Sequence, residues 1–193
     1  MLRKLYRWTM SLAKSRYALL ILAIISFFEA SVFPIPPDAL MIPMILAAPR
    51  RAFLIASVTT ISSVLGGALG YGTGIYLFEE IGRPVLEFYG KTGAFETFKY
   101  YYNEFGAVIL LLSGITPFPF KVTTILSGAT ELNFVLFLVF TLIGRAIRFF
   151  IVAALLWKFG PDIRHFIEKR LGMVFTMGLL ALLGGFLVLW MIC

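Results

Sequence analysis

The chain alternates long apolar blocks with short polar ones. Apolar stretches fill residues 17–48, 52–78, 105–130, 133–157 and 171–192, and charged residues gather in 1–16, 79–104 and 158–170. Several blocks approach or exceed the roughly 20 residues that a bilayer-spanning helix needs. Residues 52–78, 133–157 and 171–192 read as full spans. Glycines support close packing in two of them: Gly66, Gly70 and Gly74 fall four apart on one face of the first, and Gly178, Gly184 and Gly185 lie in the last. Residues 79–104, with Glu79, Glu80, Glu87, Glu96 and Glu104 interleaved with aromatics, predict a helix at the membrane interface. Residues 158–170 predict a basic loop.

Residues 17–48 do not fit this scheme. As one helix they would run about 48 Å at 1.5 Å per residue, against a hydrocarbon core of about 30 Å. Pro34, Pro36 and Pro37 cut the block near its middle, and each arm is then too short to cross. A hairpin that enters and leaves on one face accounts for both facts, provided protein or a wet cavity covers the freed backbone groups. A kinked, tilted single span is the alternative. Two acids, Glu29 and Asp38, flank the cut.

The second half repeats the pattern. Thr116-Pro-Phe-Pro-Phe-Lys121 aligns with Phe33-Pro-Ile-Pro-Pro-Asp38, with Pro117 and Pro119 lying 83 positions after Pro34 and Pro36 and Lys121 standing where Asp38 stands. Proline-interrupted segments in corresponding places of two halves point to a transporter's central site. The expected fold is therefore an all-α polytopic membrane protein. It is an inverted repeat, with two re-entrant helical hairpins facing each other and about three full spans. Its divisions are a basic juxtamembrane helix (1–16), repeat one (17–78), an interfacial segment (79–104), repeat two (105–157), and a basic loop with a C-terminal span (158–193).

Composition agrees. The 193 residues are 60% hydrophobic and only 14% charged, far from the quarter charged of soluble domains. The net charge of +7 does not imply nucleic acid, because the basic residues sit at the ends of apolar runs, as on cytoplasmic flanks. With the N-terminus cytoplasmic, a first hairpin returns Arg50 and Arg51 to the cytoplasm and leaves the acid-rich 79–104 outside. A single span would place both arginines outside, against the charge rule. Glu29 within the run and the lack of a small-x-small site after it argue against a cleaved signal peptide. Cys193 is the one cysteine, so no intrachain disulfide forms. His165, the one histidine, lies in the basic segment without neighbouring ligands, so no metal site or cofactor is expected.

Arg145 and Arg148 lie near the middle of 133–157, three apart and on one helical face. At bilayer depth each costs from about 3 to more than about 10 kcal/mol. They need anions, and Glu29 and Asp38 are the obvious ones.

On Phe28-Glu-Ala-Ser-Val-Phe-Pro-Ile-Pro-Pro-Asp38, Thr116-Pro-Phe-Pro-Phe-Lys121 and Gly144-Arg-Ala-Ile-Arg148, the chain resembles the DedA (VTT-domain, SNARE-associated Golgi protein) family, most of all its short YqaA-type branch. The likeness covers about residues 20–157. It departs at Pro37, where many members carry glycine. The resemblance implies facing re-entrant hairpins, with Glu29 and Asp38 as the embedded acids and Arg145 and Arg148 as the paired bases. It also implies proton-linked polyprenyl-phosphate translocation or lipid scrambling in a membrane, here the bacterial inner membrane. The expected function is a flippase of a phosphorylated lipid, driven by the proton-motive force. In it Arg145, Arg148 and Lys121 bind the headgroup and Glu29 and Asp38 exchange protons; a homo-oligomer is compatible with this reading. Three other readings stand beside it: an ion channel or exporter, a buried ion-pair network of purely structural role, and a membrane enzyme. The last is disfavoured because no Ser-His-Asp or metal-ligand set is present.

Overall fold

The computed structural model of the chain describes residues 17–31, 36–116 and 120–169, with side chains as far as Gly160 and Ser31 excepted. The basic segment 1–16, Pro34, Pro117, Pro119 and the expected last span 171–192 lie outside the described residues. Within them the structure is helical and has no strand. In order come α1 (Ala18–Ser31), α2 (Asp38–Ala47), a 3-10 turn at Pro49–Arg51, and α3 (Ala52–Leu77). A π-turn (Phe78–Gly82) then leads into α4 (Arg83–Phe88), followed by α5 (Thr92–Ile115), α6 (Phe120–Ala129) and α7 (Phe134–Lys169).

The prolines explain where α2 begins. Pro36 and Pro37 lack the N–H that a first helical turn cannot satisfy, and their rings fix a helix-compatible φ. Their carbonyls take up the first amides: Ala39 N–H donates to Pro36 at 3.1 Å and Met41 N–H to Pro37 at 2.9 Å. Gly90, at φ +63°, makes the turn between α4 and α5, a backbone that a residue with a Cβ rarely adopts.

Contacts between side chains set the helix directions. Gly66 of α3 lies against the carbonyl of Phe27, and Gly70 lies 3.2 Å from the Ala30 carbonyl as measured from an ideal Cβ, so α1 and α3 run parallel. Asp38 meets Arg148, and Leu46 meets Gly160, so α2 runs along α7. Phe53 packs on Phe150 and Trp157, while Tyr71 packs on Phe134 and Phe137, so α3 and α7 are antiparallel. It follows that α2 folds back against the direction of α1.

The second half obeys the same geometry. The Thr123 hydroxyl donates to Ser113 at 3.2 Å, Tyr102 bonds the Ser127 hydroxyl at 3.1 Å, and the Asn103 amide donates to the Thr130 carbonyl at 2.9 Å. These pairs make α6 antiparallel to α5. Gly114 packs against Gly144 while Leu110 clusters with Phe137, so α5 and α7 are parallel. The triple α1–α2–α3 thus reappears, inverted, as α5–α6–α7. Small residues are needed at these crossings, since a Cβ on Gly66 would collide with the backbone of Phe27 and one on Gly128 with that of Tyr71.

Two helical stretches, Pro49–Phe88 and Phe134–Gly160, are long and apolar enough to cross a bilayer. The outer faces of α3 and α7 expose large apolar side chains such as Ile61, Leu65, Val135 and Ile151, as expected of helices that face lipid.

Two local expectations are corrected. Residues 158–169 are not a loop: α7 continues as helix to Lys169, because charge marks an exit from hydrocarbon without obliging a helix to end. The border between the interfacial segment and repeat two, at 104/105, falls within one helix. α5 starts at Thr92 and runs unbroken to Ile115, its first half polar and its second half apolar.

Candidate functional site

The end of α1, the start of α2 and the end of α5 all reach α7, and the charges meet there. Arg145 Nη2 donates to Glu29 Oε2 at 2.9 Å, and Arg148 Nη2 donates to Asp38 Oδ2 at 2.6 Å. Glu29 comes from the last turn of α1 and Asp38 from the first turn of α2. One helix of the second repeat therefore pairs with both arms of the first hairpin. Arg148 also donates through Nη1 to the Thr116 carbonyl at 3.3 Å, at the C-terminal end of α5. That guanidinium ties the break after α5 to the start of α2.

The helix ends treat the two acids differently. Asp38 sits at the positive end of α2, where a carboxylate is favoured, whereas Glu29 sits at the negative end of α1, where it is not. The Glu29 charge therefore depends more heavily on its arginine. That arginine is the most enclosed charge in the described structure: the Arg145 side chain is 1% exposed, against 22% for Arg148 and 21% for Asp38. The Phe120 ring covers its guanidinium at 3.8 Å from Cζ to ring centroid, and Phe149 stands at 5.6 Å. Cations over aromatic faces are held more strongly when dry.

Polar atoms near Arg145 are under-satisfied. Its Nε, the Thr141 hydroxyl one turn earlier on α7, and the Ser63 hydroxyl of α3 are buried without a partner among the described residues. Ser63 lies between the Phe53–Phe150 and Tyr71–Phe137 contacts, and so at the level of Thr141 and Arg145. Buried groups of this kind are normally satisfied by ordered water.

Of the residues singled out from the sequence, Glu29, Asp38, Arg145 and Arg148 are brought together. Pro36 and Pro37 open α2. Lys121 stands half-buried in the first turn of α6, a position disfavoured for a cation, and joins none of the ion pairs among the described residues. Pro34, Pro117 and Pro119 fall outside those residues. Sequence reasoning missed Phe120, Phe149 and the Thr116 carbonyl. Phe120 directly follows the second Pro-x-Pro, but with 20 phenylalanines in the chain nothing marked it out. Among the described residues no cluster of three or more His, Cys, Asp or Glu could hold a metal ion.

Comparison with known proteins bears on the whole of this region. The VTT domain model matches residues 18–158. Two uncharacterised bacterial proteins are similar over 168 residues, which is 85% of this chain and 87% of each relative. The one from Haemophilus influenzae is 33% identical and the one from Histophilus somni 37% identical. No solved structure matches.

Proposed function

The chain belongs to the VTT-domain (DedA) family of membrane proteins, and from that premise we propose that it is a proton-linked translocase of a phosphorylated lipid in a bacterial inner membrane. The observation that carries the reading is the pairing of Arg145 and Arg148 with Glu29 and Asp38, from the facing ends of α1 and α2. At about 15–21 Å, α1, α2 and α6 are too short to cross hydrocarbon by themselves. In this reading the two hairpins are re-entrant, dip in from opposite faces, and shelter a polar site at mid-membrane. The N-terminus is cytoplasmic, and a third span follows at 171–192.

The chemistry is anion exchange. A phosphate headgroup cannot cross hydrocarbon without a counter-charge, and guanidinium groups bind phosphate in a planar, bidentate way. In the resting state the carboxylates occupy the arginines. An arriving phosphate displaces a carboxylate, which, without its guanidinium, favours its protonated form. Departure of the phosphate restores the pair and releases the proton. Lys121, which has no acid partner in the described structure, adds positive charge at the second break.

The test is translocation of a short-chain polyprenyl phosphate in proteoliposomes under an imposed pH gradient. Native protein moves the lipid and Arg145→Ala and Glu29→Gln do not; undiminished movement in both variants contradicts the proposal. A purely structural network is the competing reading, favoured by the complete burial of Arg145, since buried pairs can fix a fold without adding stability.

A further inference from the structure

We infer that the two arginines do different work: Arg148 is the guanidinium that meets the phosphate, and Phe120 is a positioning residue that seals Arg145 away from it. This rests on the headgroup reading above and divides its labour.

The division follows from what surrounds each group. A phosphate needs an open guanidinium edge that presents adjacent N–H groups. At Arg145 burial closes that edge: Nη2 is committed to Glu29, the Phe120 ring lies on the guanidinium face, and the unpartnered Nε is itself buried. Arg148 is partly open, as is Asp38, and its second bond is a long one to a backbone carbonyl. A phosphate replacing the Asp38 carboxylate is a like-for-like anion exchange at a group already in contact with polar surroundings. At Arg145 the same exchange first requires the Phe120 ring to leave.

Phe120 is itself held. It is 1% exposed, and Gly67 of α3 leaves room for its ring, with Phe120 Cε1 only 3.4 Å from where a Cβ would stand. It is also the first residue of α6, directly after the second break and directly before Lys121. Movement of the ring off Arg145 therefore displaces the start of α6 and carries Lys121 with it. The seal keeps Arg145 buried and held to Glu29 until that turn moves.

The experiment is arginine modification of the purified full-length protein by phenylglyoxal, with rates at Arg145 and Arg148 read by peptide mass spectrometry. Dimethylallyl phosphate serves as the headgroup probe and inorganic phosphate runs in parallel. A sealed group reacts only through local opening, so Arg148 should react about tenfold faster than Arg145. Dimethylallyl phosphate should slow Arg148 and leave Arg145 unchanged. Protection by inorganic phosphate at equal concentration assigns the site to the phosphate group alone, and stronger protection by dimethylallyl phosphate assigns it to a lipid headgroup; either supports Arg148 as the contact. Phe120→Ala, or Phe120→Leu if the alanine protein is not monodisperse, should bring Arg145 to the rate of Arg148, and Phe120→Trp should restore the difference. Equal rates in native protein, or protection at Arg145 instead of Arg148, overturn the division. An unchanged Arg145 rate in a folded Phe120→Ala or Phe120→Leu protein overturns the role of Phe120. Unequal rates with no protection by either anion leave the seal standing but overturn Arg148 as the phosphate contact, and the headgroup reading with it.

Discussion

Removing the charge of Glu29 should harm the fold far more than removing that of Asp38. In Glu29→Gln the Arg145 guanidinium stays buried, with an amide oxygen in place of the carboxylate it was paired with. Breaking a buried ion pair from one side costs about 3–5 kcal/mol. The glutamine carbonyl can keep one hydrogen bond, which offsets about 1 kcal/mol, and the Phe120 ring at 3.8 Å remains. A net loss of about 3 kcal/mol follows. In Asp38→Asn both partners are about one-fifth exposed, so solvent screens the change and about 1 kcal/mol is expected. The gap of about 2 kcal/mol is roughly a thirtyfold difference in the unfolding equilibrium. SDS-driven unfolding in mixed micelles, followed by circular dichroism, measures it directly. If Asp38→Asn destabilises as much as Glu29→Gln, the contrast in burial between the two pairs has been misjudged.

Three further outcomes follow from the packing and the charges. Gly66→Ala drives a methyl into the Phe27 carbonyl and should cost about 1–3 kcal/mol, whereas Gly72→Ala, with nothing within 4 Å of its Cβ, should be neutral or stabilising by up to about 1 kcal/mol; melting temperatures separate them. The Lys99 ammonium, 2.6 Å from Glu131, hydrogen-bonds that carboxyl and holds it below the usual carboxylate range. The pair therefore contributes at neutral pH, and the contribution fades as pH falls through the depressed value. Lys99→Met should lower stability by less than about 1 kcal/mol at pH 7, with the difference from native protein vanishing in acid. In a Cys193→Ser background, Arg50→Cys should react with an impermeant maleimide from the cytoplasmic side and Lys91→Cys from the opposite side. Reaction of Arg50→Cys from the side opposite the cytoplasm contradicts the hairpin topology.

The main features of the fold were legible because the sequence states its exceptions plainly. Pro34, Pro36 and Pro37 interrupt an otherwise continuous apolar run, and Arg145 with Arg148 in another apolar run requires acids from elsewhere in the chain. Only Glu29 and Asp38 lie in comparable surroundings, which is why the four could be grouped before any contact was known. Helix ends were less legible. Glu96, Lys99 and Glu104 read as a boundary, yet they ride on the first turns of the same helix that carries Leu110 and Ser113. Charged side chains are good helix formers, so polarity locates the membrane surface without locating the helix terminus. Which acid joins which arginine, and which ring covers Arg145, depend on the crossing of α1, α6 and α7. They are set by backbone approach of α1 to α3 at Gly66 and Gly70, of α6 to α3 at Gly74 and of α5 to α7 at Gly144, whose partners the sequence does not name.

The most direct measurement reverses one ion pair. Asp38→Arg combined with Arg148→Asp keeps both charges, and therefore the contact, while removing the guanidinium from the place where the phosphate is expected. The account predicts a monodisperse, folded protein, destabilised by the cation now at the start of α2 and by loss of the Thr116 contact, with no translocation of polyprenyl phosphate in proteoliposomes. Translocation at the native rate by that double variant would show the pair to be a structural clasp and would contradict the account.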